Sequence, residues 1–153
     1  MVVTYRGMAI RFQEAEVREV GRDSMGVRGI KLRGDDKAIS LDVVRSDADL
    51  FVVTDTGFGK RVKVERFNRQ GRGGQGVRAI KLTAARGFVV AAFMTRLDDE
   101  VMLASTGGVL IRTPVREVSS QGRDATGVRV MNLDEGHSVA TAALVPTEDE
   151  DDS

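Results

Sequence analysis

One eight-residue stretch occurs three times at a fixed interval, and this limits the fold more than any other feature of the chain. Gly21-Arg22-Asp23-Ser24-Met25-Gly26-Val27-Arg28 returns as Gly71-Arg72-Gly73-Gly74-Gln75-Gly76-Val77-Arg78, and again as Gly122-Arg123-Asp124-Ala125-Thr126-Gly127-Val128-Arg129. The leading glycines, at positions 21, 71 and 122, stand 50 and 51 residues apart. The register runs well past the octapeptide, since Gly7, Gly57 and Gly108 align, as do Arg11, Arg61 and Arg112, and Leu32, Leu82 and Leu133. A chain of 153 residues has room for little more than one core. Three copies of a unit that cannot bury its apolar side alone must therefore stack on one another.

Each copy reads as strands. Phe51 to Val53 is an apolar run that meets a turn at Thr56-Gly57, and Arg61-Val62-Lys63-Val64-Glu65 then alternates with period two, as a half-buried strand does. After the repeated loop, Val77 to Leu82 predicts a third strand; a turn near Arg86-Gly87 follows, and the run Phe88 to Met94 predicts a fourth. No helical periodicity of useful length occurs. The expectation is an all-β chain of propeller-like blades, four strands in each of three repeats of about 50 residues. The repeats fall at about 1–50, 51–100 and 101–146, and 147–153 is an acidic, disordered tail. Stacked blades bury both faces of their inner strands, which accounts for the nearly continuous apolar runs Phe88 to Met94 and Val139 to Val145. Closed propellers have four to eight blades. Three blades therefore leave open whether the unit folds alone, closes by self-association with a second copy, or joins upstream blades.

The totals exclude several functions. There is no cysteine and one histidine, His137, so disulfides, thiolate sites and zinc chemistry lack ligands, and no metal or other cofactor is expected. The longest apolar run, Phe88 to Met94, is far short of a membrane helix of roughly 20 residues, and the N-terminus lacks a signal-peptide layout. A cytoplasmic protein with no membrane partner is expected. Net charge is zero, but five of the 23 acidic residues lie in the tail Glu148-Asp149-Glu150-Asp151-Asp152. The remainder carries 23 basic against 18 acidic residues, and 18 of the basic ones are arginine, whose planar fork suits phosphate. High genomic GC content enriches arginine equally well, so composition by itself selects no partner.

The three loops resemble those of the C-terminal domain of bacterial gyrase A proteins, in which each blade carries a Gly-Arg-x-x-x-Gly-Val loop followed by a strand like Ile30-Lys31-Leu32 or Ile80-Lys81-Leu82. The likeness covers about Val2 to Val145. One blade of that family bears the gyrase box, Gln-Arg-Arg-Gly-Gly-(Arg or Lys)-Gly. The middle copy here has Gln70-Gly71-Arg72-Gly73-Gly74-Gln75-Gly76, which agrees at five positions and departs at Gly71 and Gln75, where the family has positive charge. It is therefore the main box or a secondary, box-like loop; a Gln-Gly-Arg-Gly-Gly loop near the protein's end most resembles actinobacterial gyrases. The resemblance implies a β-pinwheel, here the last three blades. It also implies non-sequence-specific wrapping of double-stranded DNA in support of ATP-dependent negative supercoiling by a type II topoisomerase. The partners implied are the remainder of the gyrase A protein and the gyrase B protein, the latter binding the ATP, and the place implied is the nucleoid. The alternatives are the C-terminal domain of the topoisomerase IV A protein and a propeller-type protein-interaction module. The latter fits poorly with 5% aromatic residues.

Wrapping holds phosphates along a bent path without reading bases, so arginines and bare backbone N–H groups are the expected contacts. Gly73-Gly74 replaces Asp23-Ser24 and Asp124-Ala125 of the sister loops, removing a negative charge and opening the backbone, so the middle loop is the leading site. Arg69, Gln70, Gly71, Arg72, Gly73, Gly74, Gln75, Gly76, Arg78 and Lys81 are its candidate residues. Arg22, Arg28, Lys31, Arg123 and Arg129 extend a stripe along the rim. For each recurring arginine, an ion pair with Asp23 or Asp124 within its own blade competes with phosphate contact, and Gly71 and Gly76 serve the turn as readily as a ligand. Gly71, Gly73 and Gly76 with Asp98 also satisfy a dinucleotide-binding pattern, but that pattern needs a helix where Val77 to Leu82 reads as strand. No catalytic residue is expected. Tyr5 is a turn residue rather than the family's DNA-cleaving tyrosine, and His137 is a solvated hairpin residue. The tail is a solubilising end or a competitor of DNA for the basic rim.

Overall fold

The computed structural model describes residues 1–11, 34–45, 47–67 and 76–145. Eleven strands appear among them: β1 Val2–Thr4, β2 Met8–Ile10, β3 Ala38–Leu41, β4 Asp49–Thr54, β5 Phe58–Lys63, β6 Val77–Arg78, β7 Val89–Thr95, β8 Glu100–Ser105, β9 Leu110–Pro114, β10 Val128–Arg129 and β11 Val139–Val145. Single 3-10 turns at Val64–Arg66 and Val115–Glu117 are the only helical elements described. The strands form three antiparallel sheets, ordered β3-β1-β2-β6, β10-β5-β4-β7 and β11-β8-β9. The all-β blade architecture expected from the repeat is the one observed.

The strands are exchanged, which the sequence did not indicate. The second and third repeated loops each hand their strand back to the preceding repeat: β6 pairs with β2 through Met8↔Arg78 and Ala9↔Val77, and β10 pairs with β5 through Phe58↔Arg129 and Gly59↔Val128. Val77 to Leu82 is thus not one strand within its own repeat. The ladder ends after Arg78 because the carbonyl of Gly7 accepts from the N–H groups of both Ala79 (2.7 Å) and Ile80 (3.4 Å), which turns the chain inward. Ala79 and Ile80 then become core residues. The third repeat follows the same route, with Val130 and Met131 donating to Gly57 O. This close approach requires glycine. Gly57 has φ +91, and a Cβ there would lie 2.5 Å from Met131 O.

The central strand β4 explains how the blades stack. Leu50 and Val52 enter a cluster with Val3, Ala9, Val62, Phe67, Ile80 and Val89, between the first and second sheets. Phe51 and Val53, on the opposite face, enter a second cluster with Val101, Leu103, Val115, Val118, Met131 and Val139. Period-two alternation here divides two cores rather than core from solvent. The same explanation fails for Val139 to Val145. That run is β11, the edge of the third sheet, and Ala140, Thr141 and Ala143 are exposed. Its apolar character does not reflect burial on both faces.

Arginines rivet successive blades. Arg61, expected on the outer side of an alternating strand, is buried: its Nε donates to Val118 O (2.7 Å) beside the next blade's 3-10 turn, and a terminal nitrogen meets Asp49 at 2.6 Å. Arg11, its equivalent, donates to Val64 O and Phe67 O of the second blade. The reach is identical, since Phe67 and Val118 occupy matching places. Arg112 in the third blade turns back to Glu100 of its own sheet at 2.7 Å.

Candidate nucleic-acid interface

The third repeated loop, Gly122 to Gly127, is organised around one buried cation. Lys60 is 0% exposed, and its ammonium donates to the carbonyls of Gly122 (2.7 Å), Arg123 (3.0 Å) and Ala125 (2.9 Å). All three of its N–H bonds are used, and none meets a carboxylate. Burial pulls its pKa down from 10.5 to about 8, opposed by Asp124 and assisted by Arg123. Near neutral pH the group remains mostly charged. Three carbonyls bonded to one cation, with the N–H groups of Ala125 and Gly127 taken by Gly122 O and Gln121 Oε1, leave the outer side of the loop to its side chains.

On that outer side, Arg78, Lys81 and Arg123 come together where the third loop crosses the end of β6. Lys81 donates its backbone N–H to Ala125 O (3.1 Å), and Arg123 donates to Arg78 O (3.4 Å). Arg78 lies 3.6 Å from Asp124, with both side chains more than half exposed. Asp124 therefore pairs across a blade junction with the preceding repeat, and not with an arginine of its own blade. An exposed pair at that distance is worth well under about 1 kcal/mol, so a phosphate can displace it. A second group forms at Phe58, whose ring carries Arg86 at 3.7 Å and Arg129 at 4.6 Å from its centroid. Gly76 sits at φ +76, a left-handed backbone conformation that favours glycine.

Of the site residues named from sequence, Gly76, Arg78, Lys81, Arg123 and Arg129 are placed as described. Arg69, Gln70, Gly71, Arg72, Gly73, Gly74, Gln75, Arg22, Arg28, Lys31 and the tail lie outside the described residues. Sequence reasoning missed Lys60, Phe58 and Arg86. Lys60 had a visible signal, since it stands where the sister repeats have Ile10 and Ile111, and a lysine in an apolar register position needs acceptors. Tyr5 lies at the first hairpin and stacks on Phe88 at 4.4 Å. His137 is exposed in the turn before β11. Among the described residues no helix is long and apolar enough to cross a membrane.

Exchanged-strand blades with glycine-arginine loops at their junctions define a repeat protein of the propeller class. Residues 1–45, 48–96 and 99–146 match the family described as DNA gyrase C-terminal domain, beta-propeller, and the chain belongs to that family. It is 41% identical over 152 residues to the DNA gyrase A protein of Aminobacterium colombiense, covering 99% of this chain and 19% of the relative. It is 39% identical over 145 residues to that of Mycobacterium leprae, covering 94% and 11%. The chain thus spans about a fifth or less of these curated relatives. A solved DNA gyrase A C-terminal domain superposes with TM-score 0.87 at 31% identity, covering 95% of this chain and 50% of that one. A DNA topoisomerase IV C-terminal domain gives 0.86 at 25%, covering 94% and 45%.

Proposed function

We propose that the chain binds and wraps duplex DNA without sequence preference, as the C-terminal part of a gyrase A protein. In that setting it supports negative supercoiling by the whole type II topoisomerase while holding no active site itself. The remainder of the gyrase A protein cleaves the DNA, the gyrase B protein supplies ATP hydrolysis, and the complex works on the nucleoid in the cytoplasm. The observation that carries this reading is the junction of Arg78, Lys81 and Arg123 around a loop whose carbonyls are turned inward to Lys60. Such a surface offers exposed positive charge to phosphates, with no base-reading side chain required. The middle loop, with Arg69, Gln70, Arg72 and Gly73-Gly74, supplies the strongest contact, and Arg22, Arg28, Lys31 and Arg129 continue the path. The likeness to a topoisomerase IV C-terminal domain supports a second reading in which DNA is bound without the full wrap. The box-like Gln70 to Gly76 favours the first.

Gel-shift titrations with two unrelated duplexes over a salt series test the proposal. About six phosphate contacts give a log-log slope near −5, at about 0.9 counterion per contact. Equal affinity for both sequences with that slope is expected, and binding that is insensitive to salt rejects an electrostatic rim. Ligation of nicked circles in the presence of the chain separates the two readings, because only a wrap shifts the linking number.

A further inference from the structure

We infer that Phe58, Arg86 and Arg129 form a clamp for the DNA backbone, in which one phenyl ring holds two guanidinium groups together for phosphate oxygens. The clamp presupposes the DNA-binding reading above and adds Phe58 and Arg86, which belong to no repeated motif. Arg86 lies over the Phe58 ring at 3.7 Å from its centroid and Arg129 at 4.6 Å. Two like charges at one ring repel each other, and an anion between them relieves that repulsion. Neither guanidinium makes an ion pair or a hydrogen bond with any described residue. The other ring cluster is balanced differently: Arg6, over Phe88, pairs with Asp35 at 2.6 Å.

Arg86 is held in place at the expense of its own hydrogen bonding. Its Nε is shielded from solvent and meets no acceptor, the one such side-chain atom among the described residues. A buried donor without an acceptor is unfavourable, and a ring face compensates it only in part. The backbone beneath is fixed: Arg86 N–H donates to Thr83 O (3.0 Å), Arg86 O accepts from Thr56 Oγ1 (2.7 Å), and Phe88 N–H donates to Asp55 Oδ1 (3.0 Å). A guanidinium set on a rigid turn loses little freedom when it takes a ligand.

The second repeat is built for this. Opposite Thr4, Thr54 and Ser105 in the ladders stand Ala38, Val89 and Val139. Counted from Leu32, Leu82 and Leu133, they lie six, seven and six positions on, so the turn that carries Arg86 has one extra residue. The position after the hairpin glycine is Met8 or Val109 in the sister repeats and aromatic only at Phe58. Arg129 faces Phe58 across its ladder as Arg78 faces Met8, which sets the clamp one blade along from the junction of Arg78, Lys81 and Arg123. An exposed arginine at that equivalent place suits a continuous backbone passing from blade to blade.

Gel-shift titrations of the whole chain over a salt series test the clamp, with Arg86→Met, Arg129→Met and Phe58→Leu beside the wild type. Each arginine variant should bind about threefold to tenfold more weakly at low salt and reduce the log-log slope by about 0.9. Arg96→Met, which removes an exposed arginine paired with Asp47, should leave both nearly unchanged. Phe58→Leu keeps both charges and should weaken binding through position alone, an effect that vanishes when both arginines are already methionine. Circular dichroism and urea melts establish that each compared chain is folded. Arg129, exposed on β10, keeps the test decisive where a change at half-buried Phe58 or Arg86 unfolds the chain. Sodium tripolyphosphate at matched ionic strength should displace DNA no better than chloride does. A wild-type chain that does not bind duplex DNA sinks the DNA-binding reading and the clamp together. Binding that survives both arginine variants with an unchanged slope, or that falls as far with Arg96→Met, overturns the clamp alone. Displacement by micromolar tripolyphosphate that Arg86→Met abolishes also overturns it, assigning the site to a free oligophosphate.

Discussion

Replacing Lys60 by methionine separates loop positioning from fold stability, because it should lower DNA affinity while changing stability little. The pKa shift from 10.5 to about 8 means that the folded site as a whole disfavours the ammonium, by at most about 3 kcal/mol at 1.36 kcal/mol per unit and less where solvent screens the rim. Methionine removes that penalty and fills the same channel with apolar volume. Two of the three carbonyls keep another donor, Gly122 O from Ala125 N–H and Ala125 O from Lys81 N–H, so only Arg123 O loses its named partner. One orphaned acceptor costs about 1–3 kcal/mol, less when water reaches it. The net change in stability is therefore small, within about 2 kcal/mol of zero. DNA affinity should nevertheless fall roughly threefold to tenfold, because the loop carrying Arg123 is held by fewer bonds. pH sharpens the distinction. With the folded pKa below the unfolded one, the unfolded chain binds more protons between about 8 and 10.5, so this lysine's contribution to stability rises with pH over that window. Affinity falls over the same window, as the neutral amine keeps two donors for three carbonyls. Urea melts and salt-matched gel shifts at several pH values measure both trends. A Lys60→Met chain that binds like the wild type, with an unchanged pH profile, refutes the positioning role.

Three other perturbations follow from the same geometry. Gly57→Ala combines φ +91 with a Cβ 2.5 Å from Met131 O and should cost about 3–5 kcal/mol, whereas Gly108→Ala, with φ +84 and open space, should cost about 1–2; equal melting shifts would contradict the close packing at Gly57. Asp124→Asn frees Arg78 and removes a negative charge from the loop, so DNA affinity should rise about twofold with little change in stability. A fall in affinity on gel shift would mean that the pair organises the loop. In the middle loop, Gly73→Asp with Gly74→Ser copies the first repeat and should lower DNA binding while preserving the circular dichroism spectrum. Arg72→Ala should lower the salt slope by about one contact; the same losses from matching changes in all three loops would argue against a special middle loop.

Local chemistry made much of the fold legible. The hairpin glycines at 7, 57 and 108 and the strand of residues 139–145 emerge as expected, because turn residues and short-range alternation report on neighbours in sequence. Strand exchange did not emerge, since Val77 and Arg78 have the same alternation whether they pair within their repeat or with the one before. Choosing between those partners is a long-range matter, decided by Gly7 and Ile80 meeting. Arg61 was misread for a similar reason: alternation says which side a residue faces, and in a stack both sides are interior. The arginines and lysine around the third loop were found from the repeat, but the lysine beneath it was not.

Strand exchange also changes what the repeated arginines are. In the sequence they mark three equivalent, separate loops; in the structure the third loop, with its donated strand, lies across two blades. Lys81 and Arg78 of the second repeat bond to Ala125 and Arg123 of the third, and Lys60 of the second repeat holds the third repeat's loop from beneath. A basic site built this way cannot form in one blade alone, because its backbone frame comes from two. On the proposed function, adjoining blades then share each contact, and the phosphate path runs along the seams of the stack instead of hopping between isolated patches. Any change that loosens a seam, at Gly57 or Arg61 as much as at Lys60, should therefore weaken DNA binding before it unfolds a blade.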